Sequence, residues 1–469
     1  MCEWIHLSPT QALTMTTAII ERSDTQTRYA WYVVTLLMAA QIVSYIDRFL
    51  PSLLIEQIKG DLRLSDLQVG LLLGPAFGLF YVVAGLPLGL LADRFSRRKL
   101  LAAGIAVWCC MTAAASATKT FIPLFATRLG VGLGEATVAP CSLSLISDLF
   151  PREQRPRAVG LFMAGTFLGA GIAFLFGGLL VHKIASLPSI TVPIFGEMRP
   201  WQATFLLVGL PGLALAGMML SIREPERRER ITQGVGTDAR GRSSLLDALR
   251  YIRERWTAFA AVFVGSAACV TLGSLSLWNV ALFSRTWGWN VRDVGFATGS
   301  LYFLGGPIGT LLGVWLAQRY VAQGRKDATL RSLLLGLCIA VPGFALYPLM
   351  PTAELAVGAL FIAFVGQAAA GAAGPASVIL LAPGQIRSQA TAIYYFIISV
   401  FGQLVGPPPV GWMTDLFGDT AKLRYAMSIE AVCVGIPAIL LLTLGLASYR
   451  RRVSELEILI EKSERHAHA

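Results

Sequence analysis

The sequence predicts an all-α membrane protein: twelve transmembrane helices in two six-helix bundles related by an internal pseudo-twofold repeat. Three observations lead there. Of the 469 residues, 55% are hydrophobic and only 14% charged, against about 25% charged in soluble domains. The apolar residues recur in stretches of about 20, the length that crosses a bilayer as a helix. The basic residues fall into alternate loops between those stretches, the pattern that sets membrane topology. The 46 glycines suit such a bundle, because small residues let membrane helices approach closely.

Spans are expected at residues 30–55, 67–92, 99–117, 121–148, 158–182 and 202–221, then at 257–285, 292–318, 329–349, 353–381, 388–413 and 425–449. Residues 1–29 are polar and mixed in charge, without the order of a cleaved signal peptide, and read as a disordered cytoplasmic tail; Met15 is an alternative start. Residues 30–221 form the first bundle, 222–256 a basic linker, 257–449 the second bundle and 450–469 a cytoplasmic tail. The linker stretch Ile222 to Arg255 holds nine arginines and a surface helix around Ser243 to Arg253. With the N-terminus inside, the cytoplasmic segments hold 28 Lys and Arg and the opposite side nine. That bias places both termini in the cytoplasm, of a bacterial inner membrane.

Other function classes lack their residues. The net charge of +11 lies in short loops rather than on a polar domain, so no nucleic-acid partner is expected. Of seven cysteines, all but Cys2 lie in apolar spans, with neither metal-ligand spacing nor a disulfide framework, and read as small core hydrophobes. The four histidines, His6, His182, His466 and His468, lie in the tails or at a span end, and neither HExxH nor a Walker loop is present. No enzyme, no metal and no cofactor is expected. The run Gly130-Val-Gly132-Leu-Gly134 mimics a dinucleotide fingerprint but lacks its final glycine and a preceding strand; it reads as close packing within span 4.

The two halves echo each other. Leu91-Ala92-Asp93-Arg94 follows span 2 and Leu316-Ala317-Gln318-Arg319 follows span 8. Pro151, Arg155 and Ala158 after span 4 recur as Pro383, Arg387 and Ala390 after span 10, with identical spacing. A duplicated six-span unit is the architecture of transporters that rock two bundles about a midplane site. A receptor is disfavoured on that ground, and a channel would be separated from a carrier by saturable, gradient-coupled flux.

The segment Gly89-Leu-Leu-Ala-Asp93-Arg94-Phe-Ser-Arg97-Arg98-Lys99 resembles the signature loop of the major facilitator superfamily, with Ser96 where that signature usually has glycine. Arg128-Leu-Gly-Val-Gly132-Leu-Gly134-Glu135-Ala resembles its span-4 motif. Tyr45-Ile46-Asp47-Arg48, Gly134-Glu135-Ala136, Leu64-Ser65-Asp66-Leu67-Gln68-Val69-Gly70 and Phe150-Pro151-Arg152 look like Spinster-type transporters. That resemblance implies proton-linked movement of lysophospholipids or sphingoid phosphates by alternating access. It also implies a latch in which Asp93, closing span 2, meets the N-terminus of span 11 near Ser388, where a helix dipole attracts anions. Arg94, Arg97 and Arg98 join that gate or merely anchor the topology.

Charges inside a membrane are costly and mark function. Four stand out. Arg128 and Glu135 are two turns apart on one face of span 4, about 10 and 20 Å in at 1.5 Å per residue. Asp47 lies near the depth of Arg128. It pairs either with Arg128 or, by bending, with its neighbour Arg48, and is read as a fixed ion pair or as a protonatable carboxylate. Glu135 has no basic partner at its own depth. A carboxyl buried so exchanges its proton near neutral pH, which makes Glu135 the expected proton carrier. Arg48 is expected to hold an anionic headgroup or to alternate between the carboxylates, and Arg128 to act as a structural partner in gating. Tyr45, Glu135, Asn279, Tyr302, Gln367 and Tyr395 complete the substrate-binding candidates. The expected partners are protons, membrane lipids and an amphipathic anion such as a lysolipid, or else a small organic anion or xenobiotic, carried by a monomer.

Overall fold

The computed structural model describes residues 9–151, 153–185, 190–192, 196–225, 245–383 and 386–468, with side chains from Thr27 to Leu459 apart from residues 86, 90, 93, 190–192, 196, 245 and 388. Among the described residues, twelve helices are long and apolar enough to cross a membrane. In the first half they are Thr27–Leu62, Asp66–Gly85, Arg97–Ala115, Phe121–Leu149, Arg155–Ala185 and Pro200–Leu220. In the second half they are Trp256–Trp287, Val291–Ala322, Ala328–Leu349, Ala353–Leu381, Gln389–Leu416 and Thr420–Leu459. These are spans 1 to 12 below. The protein is a multi-pass integral membrane protein. A small antiparallel hairpin, Ile190–Val192 with Gly196–Met198, lies between spans 5 and 6 and is the one departure from an all-helical fold among the described residues.

Packing obeys the repeat. In the first half, span 1 packs on 5 and 6, span 4 on 2 and 3, and span 3 on 6; in the second half, span 7 packs on 11 and 12, span 10 on 8 and 9, and span 9 on 12. Adding six to every number in the first set generates the second. Across the halves, span 2 meets 11, span 5 meets 8 and span 1 meets 7, and the same exchange maps this set onto itself. The 5–8 contact is backbone against backbone: a Cβ on Gly295 would fall 2.3 Å from the Phe174 carbonyl oxygen.

Several spans are interrupted near their middles. Span 2 starts with a capping box, in which Ser65 Oγ accepts from Gln68 N at 3.2 Å and Gln68 Oε1 from Ser65 N at 3.0 Å, and breaks at Gly74 before Pro75. Span 4 breaks between Glu135 and Val138. Span 7 tightens to a 3₁₀ turn over Leu275–Trp278, and span 11 widens to a π-helix over Val400–Val405. Irregular backbone at such depth is tolerated where it is buried in protein or lines a cavity.

Two expectations about the ends need correcting. The backbone is helical from Pro9, so the tail expected to be disordered is a helix running into span 1. No Gly or Pro follows Pro9 before Pro51, and Ala, Leu, Met, Gln, Glu and Arg favour a helix. Span 1 also reaches Leu62 rather than residue 55. The linker helix is Leu245–Glu254, close to expectation, and docks through Tyr251 Oη, which donates to the Leu381 carbonyl at 3.1 Å. The last helix continues to His468.

Candidate transport site

Span 4 is placed by its glycines. A Cβ on Gly132 would sit 2.1 Å from the carbonyl oxygen of Phe77 in span 2, and one on Gly134 would sit 2.5 Å from the carbonyl oxygen of Gly104 in span 3. Held between those two backbones, span 4 turns Glu135 toward span 1. There Glu135 Oε2 accepts from Ser44 Oγ at 2.7 Å and from Arg48 Nη2 at 3.0 Å. The expectation that Glu135 lacks a basic partner is therefore wrong. The reason is the length of span 1. Counted from Leu62, Arg48 is about 21 Å in, and Glu135 is about 21 Å from Phe121, at 1.5 Å per residue. The two share one depth.

Arg48 also sits in an aromatic cage, its guanidinium carbon 4.8, 4.5 and 4.9 Å from the ring centres of Tyr45, Phe77 and Tyr81. Cation–π attraction and the ion pair together offset the cost of placing that charge in a membrane. Glu135 Oε1 and Arg48 Nε are buried without a hydrogen-bond partner, so the pair does not satisfy all its own bonding capacity.

The neighbouring charges are less complementary. Asp47 Oδ1 accepts from Thr112 Oγ1 of span 3 at 2.9 Å. Arg128 Nη2 reaches the backbone oxygen of Asp47 at 3.3 Å, and its Nε and Nη1 have no partner. The Asp47–Arg128 ion pair weighed from the sequence does not form, nor does Asp47 pair with Arg48, which faces Glu135. Asp47, Arg128 and Glu135 are each 2% exposed or less. They lie behind the cavity wall rather than in it.

The cavity itself occupies about 530 Å³ between the halves. Tyr45, Arg48, Tyr302 and Gln367 line it, as does Gln403 of the π-helical turn. Tyr302 lies 5.7 Å from Phe174 at 9° and donates to or accepts from Ser276 at 3.1 Å. Gln367 Nε2 donates to the Cys269 carbonyl at 3.2 Å. Besides Glu135, two candidates are not part of this wall. Asn279 is fully buried and accepts from Tyr347 Oη at 3.0 Å, a packing contact within the second half. Tyr395 is 50% exposed, outside the cavity. Gln403 went unnoticed in the sequence; a lone polar residue ahead of Pro407-Pro408-Pro409 was its signal.

The expected gate falls partly outside the described residues. The backbone of Asp93 ends one helix and that of Ser388 begins another, but both side chains lie outside the description. Arg94 is exposed. Arg97 is buried and pairs with Asp148, and its Nε donates to Glu224 at 2.8 Å. Arg98 Nη1 donates to the Ile222 carbonyl at 2.9 Å. Glu224 caps span 3, accepting from Ser96 Oγ at 2.7 Å and from the backbone N–H groups of Arg97 and Arg98 at 3.2 and 3.1 Å. Burial pushes its carboxyl up, but the bonds from Arg97, Ser96 and those backbone groups prevail and hold it below the usual range. The second half repeats this tie with signs exchanged: Asp327 before span 9 accepts from Arg331 at 3.0 Å and from Arg450 of span 12 at 2.9 Å. Its carboxyl, too, is held low by those two arginines against burial.

No motif marks the bond network at the end opposite the linker. Asp415, in the last turn of span 11, accepts from the backbone N–H groups of Asp66 and Leu67 at 2.8 Å each. These are the first groups of span 2, where a helix N-terminus attracts a carboxylate. Arg285 of span 7 adds Glu56 at 2.8 Å and Asp66 at 2.9 Å. Spans 1 and 2 are thereby tied to spans 7 and 11, and this end is closed.

The sequence profile of the Major Facilitator Superfamily matches residues 37–280. The chain belongs to that superfamily. It is a transporter, not an enzyme, and it is similar to Spinster proteins. It is 27% identical to an MFS-type efflux pump of Mycolicibacterium smegmatis, over 91% of this chain and 95% of that one. It is 25% identical to the protein spinster of Drosophila melanogaster, over 83% of this chain and 62% of that one. A crystal structure of a bacterial homolog of the human lysosomal transporter Spinster, inward-facing and unoccupied, shares the fold with a TM-score of 0.74 at 23% identity, over 91% of this chain and 97% of that one.

Proposed function

We propose that this transporter couples protons to the movement of an amphipathic anion, such as a lysophospholipid, by alternating access. The observation that carries the reading is the position of Arg48: one side on Glu135, the other on a cavity walled by Tyr45, Phe77 and Tyr302. A guanidinium in that setting needs a counter-anion. While Glu135 is charged it supplies one. When Glu135 takes a proton, a substrate headgroup replaces it, and the aromatic wall receives the apolar chain. Proton and anion binding are then linked, each favouring the other through one shared arginine. Asp47, held by Thr112 beside the Arg128 guanidinium, is a second proton site in this scheme.

The basic bias of the loops supports cytoplasmic termini in a bacterial inner membrane, with residues 30–221 and 257–449 as the two rocking bundles of a monomer. The Asp415 latch supports the gate assigned to Asp93. Asp415 closes span 11 on the start of span 2 at one end of this pair of spans, and Asp93 would close span 2 on the start of span 11 at the other end. The two latches would alternate.

The runner-up cargo is a small organic anion or xenobiotic, which the resemblance to an efflux pump favours. Thermal shift in detergent decides between them. Lysophosphatidylglycerol should raise the unfolding temperature of the parent and not of Arg48→Gln. A rise with citrate alone would favour the runner-up, and no Arg48-dependent rise with either would remove Arg48 as the headgroup site.

A further inference from the structure

A second cavity, separate from the transport path, opens between spans 7, 11 and 12. It occupies about 400 Å³ and is lined by apolar groups including Phe263, Ala267, Phe401 and Val405. That volume lies within the range of small-molecule sites. The backbone of span 11 creates the gap. Pro407, Pro408 and Pro409 have no N–H to give to the carbonyls one turn earlier, and the chain widens into a π turn, with Gly406 N donating to the Phe401 carbonyl at 2.9 Å. Phe401 and Val405 on one side of that turn line this groove, while Gly402 and Gln403 on the other line the central cavity.

One ionisable acid faces this apolar wall. Glu430 of span 12 lines the groove, is 4% exposed, and its Oε2 is buried with no hydrogen-bond partner among the described residues. No Lys, Arg or His lines the groove with it. It lies seven residues beyond Leu423, about 10 Å along the helix. The other buried carboxyls in the first half have at least a hydroxyl or a guanidinium; this one has neither. A carboxyl without a partner in an apolar groove is costly unless a ligand completes it.

We propose that the groove is a binding site for a single-chain amphiphile with a primary ammonium head, taken from the bilayer, its chain lying along Phe263, Ala267 and Phe401 and its head on Glu430. Charge sets the choice. A sulfate or phosphate head would meet a carboxylate with no cation to screen it, and a neutral head would offer a hydrogen bond but no opposite charge, whereas an ammonium offers both. The ligand class is therefore opposite in charge to the anion assigned to the central cavity. Because the π turn is common to both walls, occupation of the groove stiffens the Gln403 side of the central cavity.

Cys433 lines the groove and is exposed, which makes it a reporter. In full-length protein in lipid nanodiscs, with Cys2, Cys110 and Cys338 replaced by serine, the rate of Cys433 alkylation by N-ethylmaleimide is measured with dodecylamine, dodecanol or dodecyl sulfate present. Dodecylamine should slow labelling about fivefold or more, and the other two should not. Glu430→Gln should abolish the protection, as should Ala267→Leu, which narrows the groove and keeps the acid. Equal protection by dodecanol, or full protection of Glu430→Gln by the amine, would overturn the proposal, as would an absence of protection in the parent.

Discussion

Replacing Asp415 with Asn should loosen the end of the molecule opposite the linker. The aspartate accepts two backbone N–H bonds at 2.8 Å from the first residues of span 2. An exposed hydrogen bond contributes about 0.5–1.5 kcal/mol net, and a charge at a helix N-terminus about 0.3–1 kcal/mol. Asparagine keeps one acceptor oxygen and loses the other bond and the charge. The loss is therefore about 1–2 kcal/mol, a factor of roughly 5–30 in the ratio of closed to open states. The assay is double electron–electron resonance between nitroxides at Gly60→Cys, where a side chain meets nothing within 4 Å, and at the exposed Lys422→Cys, in a background without other reactive cysteines. The parent should give mainly the short distance of the closed end, and Asp415→Asn a longer one at that expense. Arg285 still ties span 7 to Glu56 and Asp66, so Arg285→Gln in the same background should add to the shift. An unchanged distribution in the double variant would refute the idea that these bonds hold the end shut.

Two further predictions concern packing and pH. Gly132→Ala should destabilise the first bundle by about 1–3 kcal/mol, as overpacking does, because the new Cβ meets a backbone oxygen at 2.1 Å; Gly85→Ala, which meets nothing within 4 Å, should leave the unfolding temperature unchanged. Glu224 and Asp327 are held below their ordinary values of 4.5 and 3.8, so both add stability above those values and lose it as pH falls through their lower folded values. Unfolding temperature between pH 7 and 3 should fall in the parent and flatten in the Glu224→Gln, Asp327→Asn double variant; an equal slope would remove these ties from the account.

The spans were legible because each carries an apolar stretch long enough to cross a bilayer. The repeat was legible in two loop motifs. The pairing of the buried charges was not, and the cause is specific. Ending span 1 at residue 55 placed Arg48 too shallow by about two turns, level with Arg128 rather than Glu135. Nothing in the local residues marks that end, since Glu56, Lys59 and Asp61 look like loop charges and are instead the last turns of the helix. The Gly132 contact, which decides which way Glu135 faces, depends on where span 2 runs. Asn279 looked like a cavity residue because it is polar within a span. Its bond to Tyr347, 68 residues away in the chain, is a product of tertiary packing alone. Asp415 and Arg285 carry no mark in the sequence for the same reason: their partners are the backbone and side chains of the other half.

The central claim is that Glu135 passes protons while Arg48 passes between it and the cargo. It is tested most directly by anion uptake into proteoliposomes, with and without an imposed pH gradient, for the parent and Glu135→Gln. Each pH unit of gradient supplies about 1.4 kcal/mol per proton, roughly tenfold accumulation. The parent should accumulate substrate in proportion to the gradient. Glu135→Gln should lose that accumulation and retain exchange of internal for external substrate, since a neutral side chain leaves Arg48 free to bind the anion. If Glu135→Gln accumulates substrate with the gradient as the parent does, Glu135 is a fixed structural partner of Arg48 and the proposed coupling is wrong.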